Sequence, residues 1–78
     1  MNQQYETAFG NNLRMLRKRK KLTQEQLTAQ LQTCGCDITR SAAAKIEVGQ
    51  RHLYPDEVIL IKKILNVSYD DIFNTRRN

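Results

Sequence analysis

The chain has 78 residues, with 13 Lys+Arg against 8 Asp+Glu and a formal net charge of +5 at pH 7. At that length a single domain is expected, burying only roughly 60–65% of the surface that its unfolded chain exposes. With three Tyr, two Phe and no Trp, its core has to be aliphatic. No apolar run approaches the length of about 18 residues that a membrane helix needs, and no charged-then-apolar leader is present, so neither a span nor a secretory signal is expected and the cytoplasm is the expected location.

Charge is unevenly distributed. Arg14, Arg17, Lys18, Arg19, Lys20 and Lys21 fall in one short stretch, whereas acids gather at Asp56, Glu57, Asp70 and Asp71. That asymmetry suits a polyanion on one side of the molecule. The plainer alternative is a run of solvated cations that complements the dipole at the end of a helix.

Catalytic and metal chemistry find little support. Cys34 and Cys36 flank Gly35; a disulfide between them would close a very small strained ring, and a reducing cytosol disfavours it. With the lone His52 they are too few for a four-ligand zinc site. No nucleophile is paired with that histidine in a recognisable pattern, and no glycine-rich phosphate loop occurs, so neither catalysis, a cofactor nor a small-molecule substrate is expected.

In chain order, residues 1–7 show no clear helix start and read as a partly frayed arm. Phe9, Leu13 and Leu16 then recur at steps of four and three, which predicts a first helix of about three turns ending near Arg19 or Lys20. Arg17 lies on the edge of its inward face. Thr23 to Gln26 fits a capping box, with Leu22 positioned to staple onto Leu27, so a second helix starts there with Leu27 and Leu31 facing inward. Thr39 is the cap of a third helix, in which Ile38 staples to Ala43. Ala43 and Ile46 form its inward face, leaving Arg40, Ser41, Ala44 and Lys45 outward, and Gly49 offers a left-handed stop. Pro55 suits the first position of a fourth helix, with Asp56 and Glu57 favourably placed in the first turn. Its inward stripe is Val58, Ile61, Leu65 and Ile64, and Asn66 can take the left-handed stop. Ser68 to Asp71 resembles a second capping box, opening a last short helix through Ile72 and Phe73.

No strand alternation, repeat or low-complexity tract appears. The reading is an all-α, compact five-helix domain over residues 8–74, with an N-terminal arm at 1–7 and a tail at 75–78 that has nothing to bury.

Several motifs together carry a family resemblance. They are Leu13-Arg14-Met15-Leu16-Arg17, Leu22-Thr23-Gln24-Glu25-Gln26-Leu27, Ala44-Lys45-Ile46-Glu47-Val48-Gly49, and Ile64-Leu65-Asn66-Val67-Ser68 leading to Asp71-Ile72-Phe73. Each alone is weak, but in this order and spacing the chain resembles the Cro/C1-type (XRE-family, lambda-repressor-like) helix-turn-helix DNA-binding proteins over residues 9–73.

The resemblance implies roles that composition cannot. Arg17 and Glu47 match a largely buried salt bridge between the first and third helices, and Gln24 matches a position that holds the DNA backbone. The third helix matches the recognition helix. Arg40, Ser41 and Lys45 then meet base edges, Ala44 comes near a thymine methyl, and Thr39 lies by the sugar-phosphate. Arginine and lysine in the major groove favour guanine O6 and N7. Arg51 and His52 fall in a loop that runs beside the backbone. Tyr69, Ile72 and Phe73 are candidate dimer contacts, with ordinary core packing as the alternative.

Two features depart from the family pattern. The connection Gln32–Asp37 is several residues longer than its usual short turn, so either the second helix extends by a turn or the loop bulges. Thr28 and Lys62 stand where alanine is frequent. The function implied is a sequence-specific transcriptional regulator, a small repressor acting by occupancy as a homodimer on double-stranded DNA and so held at the nucleoid. The alternative is a protein-protein interaction module on the same fold, such as an antitoxin or bridging factor, against which the cationic Arg40 and Lys45 argue.

Overall fold

The computed structural model describes residues 3–74, and the tail at 75–78 lies outside them. The described residues form five helices, α1 (Gln3–Arg19), α2 (Gln24–Thr33), α3 (Arg40–Glu47), α4 (Pro55–Leu65) and α5 (Tyr69–Phe73). None of these helices is long and apolar enough to cross a membrane.

Helix starts are written locally. The Thr23 hydroxyl accepts from the Gln26 N–H at 3.0 Å, while the Thr23 N–H donates to Gln26 Oε1 at 2.9 Å. Ser68 and Asp71 make the same reciprocal pair at 3.0 and 3.1 Å, and Thr39 accepts from the Ala42 N–H at 3.1 Å. Each cap satisfies donors that a helix start leaves without partners.

Four helices also end alike. After α1, α2, α3 and α4 the chain turns through one left-handed residue, Lys21 (φ 60°), Gly35 (φ 89°), Gly49 (φ 80°) and Asn66 (φ 53°). In each, a pair of backbone hydrogen bonds folds the chain back on the last turn. After α2 these run from Cys36 to Leu31 and from Gly35 to Gln32, and after α1 from Leu22 to Arg17 and from Lys21 to Lys18. Glycine adopts this conformation without penalty and asparagine tolerates it. For a lysine the left-handed region is unfavourable by about 1–2 kcal/mol.

The α2 boundary resolves the long connection. The helix runs on to Thr33, and Gln32 Nε2 donates to the Ile38 carbonyl at 2.8 Å, so the turn into α3 is drawn in rather than bulged. Thr28 is buried, its hydroxyl donating to the Gln24 carbonyl one turn back at 2.7 Å. Lys62 is half-buried with its ammonium 5.1 Å from the Tyr69 ring centroid.

Phe9, Leu13 and Leu16 of α1 meet Leu27, Leu31, Ile38, Ala43, Ile46, Val58, Ile61, Leu65 and Ile72 in one core. All the inward positions read from periodicity lie in it or, for Ile64, against it. The start of α1 differs from the expectation: the helix begins at Gln3, not near Phe9, so the described part of the segment expected as an arm is helical. Apolar spacing carries no signal for the close backbone approaches that α1 makes to the end of α3. A Cβ on Gly49 would lie 2.8 Å from Thr7 Cα, and a Cβ on Gly10 would lie 2.7 Å from the Glu47 carbonyl oxygen. The first helix thus crosses the C-terminal end of α3 at a distance that only glycine allows.

Gly10→Ala tests that crossing. Alanine should favour an exposed helix interior by about 1 kcal/mol over glycine. Here overpacking against backbone reverses the sign, and the variant is expected to lose about 1–3 kcal/mol in urea denaturation. A gain in stability would mean that the two helices can separate freely.

Candidate nucleic-acid interface

Arg17 is the residue of the basic run that turns inward. It is 6% exposed and Glu47 is 2% exposed. Its Nε donates to Glu47 Oε2 at 2.7 Å and its Nη2 to Glu47 Oε1 at 3.0 Å, while Nη1 donates to the Leu22 carbonyl at 2.6 Å. The planar guanidinium suits this two-pronged pairing better than an ammonium would. The same Glu47 Oε1 accepts from Gln24 Nε2 at 3.0 Å. One carboxylate at the end of α3 therefore collects α1 and the first residue of α2.

Held this way, α3 presents a short polar face. Arg40, Ser41 and Lys45 are exposed and Ala44 is half-buried. Eight residues at 1.5 Å each span about 12 Å, comparable to the width of the major groove of B-DNA. Arg40 lies 3.8 Å from Glu25 of α2, with both side chains mostly in solvent. Such a pair contributes about 0–1 kcal/mol, so its charge is not committed. Thr39 spends its hydroxyl on the helix cap.

Two of the expected phosphate contacts have internal work. Gln24 is half-buried on Glu47. Arg51 in the α3–α4 loop donates from Nη1 and Nη2 to Glu57 Oε1 and Oε2, both at 3.0 Å, and from Nη1 to the His52 carbonyl at 3.0 Å. Its guanidinium also sits 5.2 Å from the Tyr54 ring centroid. Arg51 is thus a loop clamp whose charge is matched, and the His52 side chain beside it is exposed.

Glu57 balances two opposing influences. Burial pushes its carboxyl up, but hydrogen bonds from Arg51 and from the Tyr54 N–H at 2.9 Å outweigh that and hold it below the ordinary carboxylate value. The same pairing with Glu57 raises Arg51 above its already high value, against an opposing effect of burial.

Of the candidate dimer contacts, Ile72 is 1% exposed and belongs to the core. Its side chain is spent inside the core cluster and is not available to a partner. Tyr69 and Phe73 are exposed, with Phe73 stacked on Phe9 at 5.0 Å between centroids. Both cysteines are free thiols; Cys36 is buried, which raises its thiol above the usual value, and Cys34 is exposed. Among the described residues no group of three or more His, Cys, Asp or Glu side chains could hold a metal ion.

Several structural residues escape sequence reading. Buried Asn12 donates to the carbonyls of Asp71 and Ile72, both at 2.6 Å. It thereby serves the open C-terminal end of α5 from 59 and 60 residues away. Nothing local announces it, beyond an asparagine on the edge of an apolar helix face. Glu57 stands third in α4 behind Pro55, a position from which a glutamate can reach back to the helix start. That signal was available for its cap, but not for its partner Arg51.

These features define a helix pair clamped by a buried ion pair, with a polar, cationic helix face turned outward. A family model for helix-turn-helix proteins matches residues 13–72. The chain belongs to the helix-turn-helix family of the Cro/C1 type, whose members bind DNA. No match emerged among curated proteins or among solved structures.

Two measurements follow from the ion pairs. Glu47→Gln leaves Arg17 buried without its counter-charge and is expected to lose about 3–5 kcal/mol in urea titration, whereas replacing both residues by apolar ones recovers much of that. A loss under about 1 kcal/mol, the range of a surface pair, would remove the clamp from this role. For Glu57 the folded carboxyl titrates below its unfolded value. Its contribution is therefore present above the unfolded value of about 4.3 and is lost as pH falls through the lower folded one. The stability gap between the natural protein and Glu57→Gln should be constant near neutrality and shrink below about pH 4; a gap that widens there would contradict the assignment.

Proposed function

We propose that the chain is a sequence-specific transcriptional regulator, a small repressor, that binds duplex DNA as a homodimer and acts by occupancy. The observation that carries this reading is the outward face of α3. Arg40, Ser41 and Lys45 are exposed on a helix whose other face is fixed by Ile46 and the Arg17–Glu47 pair. In this reading Arg40 donates in a fork to guanine O6 and N7, Lys45 and Ser41 meet neighbouring base edges, and Ala44 lies against a thymine methyl.

Around that face, Thr39, Gln24 and His52 approach the sugar-phosphate, with Gln24 using the amide hydrogen and oxygen not engaged on Glu47 and Arg51 holding the loop in place. Two copies joined through Tyr69 and Phe73 at the α5 end would set their recognition helices in successive major grooves, so half-sites should repeat at about 34–36 Å.

Selection of bound duplexes from a random pool, followed by titration at several salt concentrations, tests the reading. The expected result is a defined motif with two half-sites and affinity that falls steeply with salt. Arg40→Ala should cost roughly 1–3 kcal/mol on the selected duplex and relax preference at one base pair. Equal loss on every sequence would make Arg40 a phosphate contact, and no salt-dependent binding to any duplex would overturn the function.

A further inference from the structure

We infer that Lys21 is a DNA-phosphate contact, an assignment that rests on the DNA-binding reading above. The starting observation is conformational. Of the four left-handed residues that end helices, three are Gly35, Gly49 and Asn66, the residue types that accept this backbone, and the fourth is Lys21 at φ 60°. The hydrogen bonds from Leu22 to Arg17 and from Lys21 to Lys18 are those of an ordinary helix stop, which glycine would make without strain.

The lysine side chain gives nothing back to the fold. It is exposed, and none of the ion pairs among the described residues involves it. A residue held in an unfavourable conformation with no internal reward points to a role outside the fold.

Its position says what that role is. Lys21 lies at the corner where α1 turns into α2, between Arg17 and Leu22, which are bound to each other by backbone and side chain. That corner is anchored through Arg17 to Glu47 of α3. Four residues on, Glu25 reaches within 3.8 Å of Arg40 at the start of α3. A long exposed cation is thus mounted on the corner that leads into α2, the helix whose Glu25 meets the start of the helix proposed to read bases. A phosphate of the flanking backbone is the anion available there, and a compact ammonium meets it as a point charge.

The test uses the full chain, a duplex recovered from the random pool and an unrelated duplex of equal length, titrated from low to moderate salt by fluorescence anisotropy. Lys21→Gly relieves the strain and removes the charge; Lys21→Arg keeps both. Lys21→Gly should melt at a higher temperature than the natural protein, yet bind both duplexes about three- to tenfold more weakly at low salt, with a log–log salt slope shallower by about one. Lys21→Arg should keep the natural affinity and slope. The inference is overturned if Lys21→Gly binds with unchanged affinity and slope, if it loses affinity on the selected duplex alone, or if Lys21→Arg loses as much as Lys21→Gly. Failure of the natural protein to bind either duplex would remove the DNA-binding reading itself, and this inference with it, whereas salt-dependent binding by the natural protein with no effect of Lys21→Gly removes the inference alone.

Discussion

The ion pair between Arg17 and Glu47 is the interaction on which the arrangement of the helices depends. A guanidinium and a carboxylate removed from water are unfavourable unless nearly all their hydrogen-bonding capacity is met. Here Glu47 accepts from Arg17 twice and from Gln24 once, and Arg17 spends its third donor on the Leu22 carbonyl. That requirement fixes three elements at once. The end of α3 must face α1, the α1–α2 corner must bring Leu22 under Arg17, and α2 must start with Gln24 beside the carboxylate. A hydrophobic contact in the same place could slide; this one has a single geometry.

Glycine completes what the ion pair begins. Glu47 can reach Arg17 because α1 and α3 cross closely, and they cross closely because Gly10 leaves room for the carbonyls of Ile46 and Glu47. Gly49 performs the reciprocal service, ending α3 in a left-handed turn against Thr7. The buried pair and the two glycines form one packing unit, although they come from opposite ends of the chain segment. Asn12 ties α5 to the same helix through its terminal carbonyls. The first helix is therefore the hub, and beside its core side chains it meets backbone atoms of α3 and α5.

Among the described residues, most of the cations fall into two groups once the structure is known. Arg17 and Arg51 are matched by buried Glu47 and Glu57 and serve as clamps. Arg40 and Lys45, like Lys18, Lys20 and Lys21, keep their heads in water. Sequence shows the same residue types in both groups, and exposure separates them. Among the described residues these exposed cations are open to a polyanion, which is the physical basis for reading the outer face of α3 as the contact surface.

What was legible in the sequence was whatever depends on neighbours a few residues apart. The Thr23, Thr39 and Ser68 caps, the Gly49 and Asn66 stops, and the inward stripes of α1 to α4 all follow from spacing within a turn or two. The family motifs added the Arg17–Glu47 pair, 30 residues apart, which spacing alone cannot reveal. The tertiary structure decided the rest: that α1 starts at Gln3, that Ile72 is core, that Arg51 belongs to Glu57, and that Asn12 serves α5. It also showed that the stop after α1 falls on a lysine. These are contacts between distant segments, or backbone angles set by such contacts. Local sequence specifies which residues can form a helix and how it ends, whereas the partner of a buried polar group is chosen only when the packed helices bring donors and acceptors together.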